Sequence, residues 1–221
     1  SRQTFHHMGY KMIDTSLLNP LNKNAIVIRH SDRDHMQPNQ IYQPLNEVGR
    51  QNACILGEKL RGFKKFAFFS SPVDRCIETN ECIMKGIFQD NNRRQISVSN
   101  VLGEPGPYVV VRKQNAFKQF GCHTVVEKQI AHEPLEGIRP TEDGAKMLVD
   151  YVLEEINKAE DGTLLIFVTH DAIVGPTIFE LTGEKFNKEH WPEFIDGFAI
   201  ENSGTEFKVI RSGKYFDLRK F

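Results

Sequence analysis

Two histidines, His30 and His170, and three arginines, Arg29, Arg33 and Arg75, each follow closely on a short apolar run in this chain of 221 residues. Arginine's planar fork binds two phosphate oxygens at once and never loses its charge. A histidine with one ring nitrogen unprotonated can attack phosphorus, and neighbouring cations keep its ring in that neutral form. A transferring phosphoryl group spreads its charge over three oxygens, so its catalysis is mainly positioning and electrostatics. The set therefore describes a basic pocket for a phosphate, with His30 as nucleophile and His170 as a hydrogen-bond donor to the same oxygens. Any one of these arginines alone would be read as a surface ion-pair partner; five such groups at the tips of different strands would not.

The runs that must position them are Ala25 to Ile28, Phe66 to Phe69 and Leu164 to Val168. Continuous apolar stretches rich in branched residues read as strands buried on both faces of a parallel sheet. Ligand sites in open α/β sheets lie beyond the carboxyl ends of such strands. Between them the pattern predicts a helix from Asn46 to a stop near Gly62, a second from Val73 to about Gly86, and a strand from Ile96 to Val101. A helix capped by Thr141 is expected before the run ending at Val168, and another from Ala172 to about Leu181 after it, with Pro176 in its first turns. Phe198 to Ile200 and Phe207 to Ile210, joined through Asn202, Ser203 and Gly204, read as a hairpin. Gly103 to Arg139 is the least regular stretch. It suggests a strand-like Tyr108 to Val111, a short helix from Asn115 to Phe120, and the role of a lid or binding loop.

The chain has 28 basic and 29 acidic residues and 39% hydrophobic ones, which allows a substantial core and gives no global field toward nucleic acid or membrane. No apolar stretch nears the roughly 18 residues needed to span a bilayer. The N-terminal Ser1 to His7 lacks the pattern of a secretory signal and, without an initiator methionine, reads as a processed or trimmed start. Cys54, Cys76, Cys82 and Cys122 show no CxxC spacing, so reduced thiols in a cytoplasmic protein are expected. His6, His7, His123, His132 and His190 lack zinc-ligand spacing, and no metal is expected. Arg93 and Arg94 read as a solvated turn with anion binding as the alternative, Arg112, Lys113 and Lys118 as a solvated surface that could also greet an anionic substrate, and Trp191 as a packing anchor for the hairpin.

Arg29-His30-Ser31-Asp32-Arg33 resembles the Arg-His-Gly-x-Arg signature of the histidine phosphatase superfamily, which includes phosphoglycerate mutases and acid phosphatases. Leu45 to Ala53 is similar to that family's Leu-Thr-x-x-Gly-x-x-Gln-Ala helix, Ser70 to Thr79 to its Ser-Ser-Pro-x-x-Arg-x-x-x-Thr segment, and Thr169-His170 to its late histidine. The four segments occur in family order across residues 25–175. The resemblance implies a three-layer α/β/α fold with a mainly parallel central sheet, one domain over residues 1–221, an N-terminal extension over 1–24 and a short lid over 103–139.

It also implies a phosphatase that hydrolyses phosphomonoesters through a phosphohistidine on His30. Arg29, Arg33, Arg75 and His170 would hold the phosphoryl group, with no cofactor or metal. Ser31 stands where the family has glycine. The proton donor is Asp171 by analogy with the acid-phosphatase branch, or Glu104 by analogy with the mutase-like branch. Asp171 is preferred because its offset from His170 is fixed, though it could instead cap the helix that follows. The expected partner is a phosphorylated small molecule or phosphoprotein, not nucleic acid or membrane. The alternatives are a phosphoglycerate-type mutase, for which residues 103–139 are short, and a silent phospho-ligand-binding module, which Ser31 would suit.

Overall fold

In the computed structural model, residues 12–35 and 42–218 are described, so His6 and His7 and part of the loop between Asp32 and Pro44 lie outside the described residues. Chain order is β1 (Lys23–Arg29), α1 (Glu47–Lys59), β2 (Lys65–Ser70), α2 (Asp74–Phe88) and β3 (Ile96–Val98), then a 3-10 turn (Asn100–Leu102). There follow α3 (Ala116–Phe120), α4 (Cys122–Ile130), α5 (Thr141–Lys158), β4 (Thr163–Thr169), α6 (Asp171–Thr182), β5 (Gly197–Asn202), β6 (Phe207–Arg211) and β7 (Lys214–Asp217). The strands form one sheet in the order β3-β2-β4-β1-β5-β6-β7. The first four are parallel, and β5, β6 and β7 are antiparallel additions at one edge.

Helices cover both faces. Along β1, Ala25 and Val27 join the core beneath α5 and α6, whereas Ile26 and Ile28 join the core beneath α1 and α2. Along β4, Leu165 and Phe167 take the first side and Leu164, Ile166 and Val168 the second. Successive strand residues point to opposite faces, so a strand covered on both must be apolar at every position. That is the physical origin of the unbroken runs.

Several boundaries differ from expectation. The third strand stops at Val98, because Ser99 turns the chain and its hydroxyl accepts from the Val101 amide. Helix α1 ends at Lys59, before Gly62. Pro140, not Thr141, occupies the N-cap of α5, and the Thr141 hydroxyl instead donates to Glu180. Tyr108 to Val111 is not a strand; a single bridge joins Val109 to Ile138. The short helix capped by Asn115 is present, and α4 and β7 are additions. The four cysteines are unpaired.

Candidate active site

Strand register brings the chemistry together. Arg29 on β1 lies level with Thr169 on β4, and Ser70 on β2 with Val168. The residues just past these pairs remain laddered: the His30 amide donates to the Thr169 carbonyl at 2.9 Å and the Ser71 amide to the Val168 carbonyl at 3.0 Å. Three adjacent parallel strands therefore end in His30, Ser71 and His170 side by side. The two imidazole centroids are 5.7 Å apart, close enough to flank one anion.

His30 is 2% exposed, and its two ring nitrogens have distinct partners. Nδ1 lies 2.8 Å from the Ser31 carbonyl, which can only accept, so Nδ1 carries the proton. The Arg75 Nε–H donates to Nε2 at 3.1 Å, so Nε2 presents its lone pair. Burial, with His170 and Arg75 adding repulsion, holds the His30 imidazole well below its ordinary range. The ring is thus fixed in the neutral tautomer that a nucleophile needs.

Ser31 locks the turn that aims this ring. Its amide donates to the Thr79 hydroxyl at 3.0 Å and its own hydroxyl donates to the Gly49 carbonyl at 2.7 Å. The serine in place of glycine is therefore accommodated by a bond to α1 that glycine cannot make. Gly49 itself is required, because a Cβ there would lie 2.1 Å from the Asp32 carbonyl oxygen. Asn46 caps α1, its side chain accepting from the Gly49 amide at 2.8 Å. Asn52, farther along α1, is fully buried with neither amide atom bonded to protein.

His170 is the N-cap of α6, and its Nε2 lies 2.8 Å from the Ser71 hydroxyl. Burial, reinforced by the Arg75 charge, pushes its pKa down to about 4. An unfolded chain titrates this group near 6.5, so below that pH it binds protons the folded protein refuses. Stability is consequently full above about pH 6.5 and falls as the pH drops from there toward 4, by roughly 3 kcal/mol from this group. Denaturant midpoints measured across that window should show the loss, and His170→Gln should flatten the profile; an unchanged slope would contradict this account.

Asp171 has partners on both of its carboxyl oxygens. Its Oδ2 accepts from the Trp191 indole N–H at 2.8 Å and pairs with Arg29 at 3.3 Å, and its Oδ1 accepts from the Ala172 amide at 2.8 Å. Burial pushes its pKa up, but Arg29, Trp191 and the helix amide outweigh that and hold the carboxyl below its usual range. Arg29 is further bound to the Pro192 carbonyl at 2.7 Å and stacked 4.1 Å over the Phe194 ring, leaving its buried Nε–H without a protein partner. Arg33 donates to Gln43, and its Nε–H is likewise unpartnered. Glu104 is exposed, paired with Arg112 at 3.4 Å, and lines a cavity of about 320 Å³ that also holds Arg75 and His170.

The histidine phosphatase superfamily (branch 1) profile matches residues 25–194, which spans all of these groups. The chain belongs to that superfamily. Among solved structures, it is similar to Bacillus stearothermophilus YhfR, at 20% identity and a TM-score of 0.59 over 86% of this chain and 96% of that one. A phosphoglycerate mutase from Bacillus anthracis str. Sterne gives 18% identity and a TM-score of 0.54 over 90% and 93%. The mycobacterial glucosyl-3-phosphoglycerate phosphatase Rv2419c gives 16% and 0.53 over 81% and 89%. At these identities the likeness is one of fold. No curated protein matches the chain.

In this superfamily member, the parts played by Ser71 and Trp191 in the site come from the fold rather than from the sequence. Ser71 touches His170 because β2 and β4 are neighbours in the sheet, and nothing in chain order reveals that. Trp191, expected to anchor the hairpin, packs against the core cluster that includes Phe198, Ile200 and Val209, and it also donates to Asp171 while its ring meets His123 edge-on at 4.4 Å. Arg93 pairs with Glu81, and Arg94 pairs with Asp90 and stacks 3.7 Å over Phe88, so neither is a free anion binder. Among the described residues, no three His, Cys, Asp or Glu side chains converge as a metal site, and no helix is long and apolar enough to cross a membrane.

Proposed function

We propose that this histidine phosphatase superfamily member hydrolyses phosphomonoesters through a phosphohistidine on Nε2 of His30. The observation that carries the reading is the fixed His30 tautomer, its Nδ1–H held by Ser31 and its Nε2 lone pair facing Arg75. Nε2 attacks phosphorus in line while Arg29, Arg33 and Arg75 neutralise the phosphoryl oxygens. The unpartnered Nε–H groups of Arg29 and Arg33 supply donors for that purpose. As the P–O bond breaks, the Glu104 carboxyl gives its proton to the departing alkoxide. The resulting carboxylate then takes a proton from water, whose oxygen attacks phosphorus and breaks the P–N bond, returning His30 to its starting form.

Asp171 serves this reading as a positioning group. It orients Arg29 and Trp191, with both carboxyl oxygens already accepting hydrogen bonds, whereas Glu104 lines the cavity beside Arg75 and His170. Ser31 does not argue for a silent module, since its hydroxyl is turned to Gly49. Hydrolysis and mutase-type transfer part at the second step. With isotope-labelled water, hydrolysis places one labelled oxygen in every phosphate released, whereas return of the phosphoryl group to an alcohol leaves the ester unlabelled. A product ester formed without labelled phosphate would overturn the reading in favour of a mutase.

A further inference from the structure

The cavity above Arg75 and His170 is lined mainly by carbon, with Glu104, Arg112, Asn115 and Lys118 as its further polar residues. Tyr108, Val109, Phe117 and Ile173 face it from the 103–139 segment and α6, with Val73 and Pro105 closing the side nearer α2. Tyr108 is anchored by its hydroxyl, 2.7 Å from the Thr177 hydroxyl in the buried core, so it offers its ring rather than its oxygen to the cavity. Phe117 and Val109 pack on the small cluster of Ala116, Val125 and Ile138, which holds the wall in place from behind. At about 320 Å³ the space admits a ring-sized group beyond the phosphate. A polyhydroxylated group against the Tyr108, Val109, Phe117 and Ile173 face would lose hydrogen bonds to water that this face cannot return, while Glu104 and Arg112 are paired with each other and the Asn115 amide is bonded to Val111, Phe117 and Lys118.

We propose that the substrate is a phosphomonoester of an alcohol with an apolar, ring-bearing body, which these walls select against sugar and glycerol phosphates. The proposal rests on the site assignment above for where the phosphate sits, but its test does not depend on turnover. Two non-hydrolysable phosphonates share the same head group: 3-phenylpropylphosphonate and 3-hydroxypropylphosphonate. Isothermal titration calorimetry with the whole protein should show the phenyl compound binding ten- to a hundredfold more tightly, with a more negative heat-capacity change and full competition by inorganic phosphate. Phe117→Ala should reduce that preference several-fold while leaving the hydroxypropyl compound unchanged. Phe117→Leu, which keeps most of the wall's volume, should retain most of it. Equal affinities for the two phosphonates, tighter binding of the hydroxypropyl compound, or binding of neither would each overturn the proposal. A clear phenyl preference without hydrolysis of the matching phosphate ester would leave the proposal standing and defeat the phosphatase reading instead.

Discussion

His30→Ala is expected to lower kcat for any accepted phosphomonoester on the order of 10⁴-fold or more, while phosphate still binds within a few-fold of wild type. The two halves of that expectation come from different atoms. Removing the imidazole removes the Nε2 lone pair that the proposed reaction uses, and neither near neighbour replaces it: His170 Nε2 is held by Ser71, and the buried Cys76 thiol is pushed up to about 12. The cradle survives, because Arg29 is fixed by Asp171 and Pro192, and Arg33 by Gln43, without help from the ring. Arg75 loses its hydrogen-bond partner but not its charge. Steady-state kinetics gives the first quantity and phosphate titration the second. Wild-type turnover in the alanine variant would remove His30 from the chemistry. Loss of turnover together with loss of phosphate binding would show that the ring's part is structural.

How much of this was written in the sequence depends on the physical source of each feature. β1, β2 and β4 were legible because strands covered on both faces must be apolar along their buried length, which leaves unbroken runs of four or five apolar residues. His30, Arg29, His170 and Arg75 were legible for the same reason, as the residues at or just beyond those runs. Helix α4 was not. It opens at Gly121 with no side-chain cap, and its apolar residues Val125, Val126 and Ile130 gain their meaning from packing against the core and α6. β7 left a fainter trace in Ser212 and Gly213, whose positive φ angles of 50° and 72° form the tight turn from Arg211 to Lys214. The choice between Asp171 and Glu104 is beyond the sequence, where nothing shows that Arg29 and Trp191 both reach Asp171 or that Glu104 shares a cavity with His170.

That choice makes the second large expectation, and leaving-group chemistry decides it. A phenolate departs without much help, whereas an alkoxide must be protonated as it leaves, so loss of the general acid penalises alkyl esters selectively. Glu104→Gln should therefore cost about 10²- to 10⁴-fold in kcat on an alkyl phosphate and far less on an aryl phosphate. Asp171→Asn should instead lower both substrates alike. It leaves Arg29 without its carboxylate partner and the Trp191 indole with a neutral acceptor, which disturbs phosphate binding before either alcohol departs. The signature of a positioning role is thus a ratio of alkyl to aryl rates that stays constant as both fall, with the Michaelis constant rising. The signature of the acid is a ratio that collapses at nearly constant Michaelis constant. An alkyl-selective loss in Asp171→Asn, with Glu104→Gln indifferent to the ester, would reverse the assignment and require Asp171 to give up Arg29 and Trp191 during the reaction.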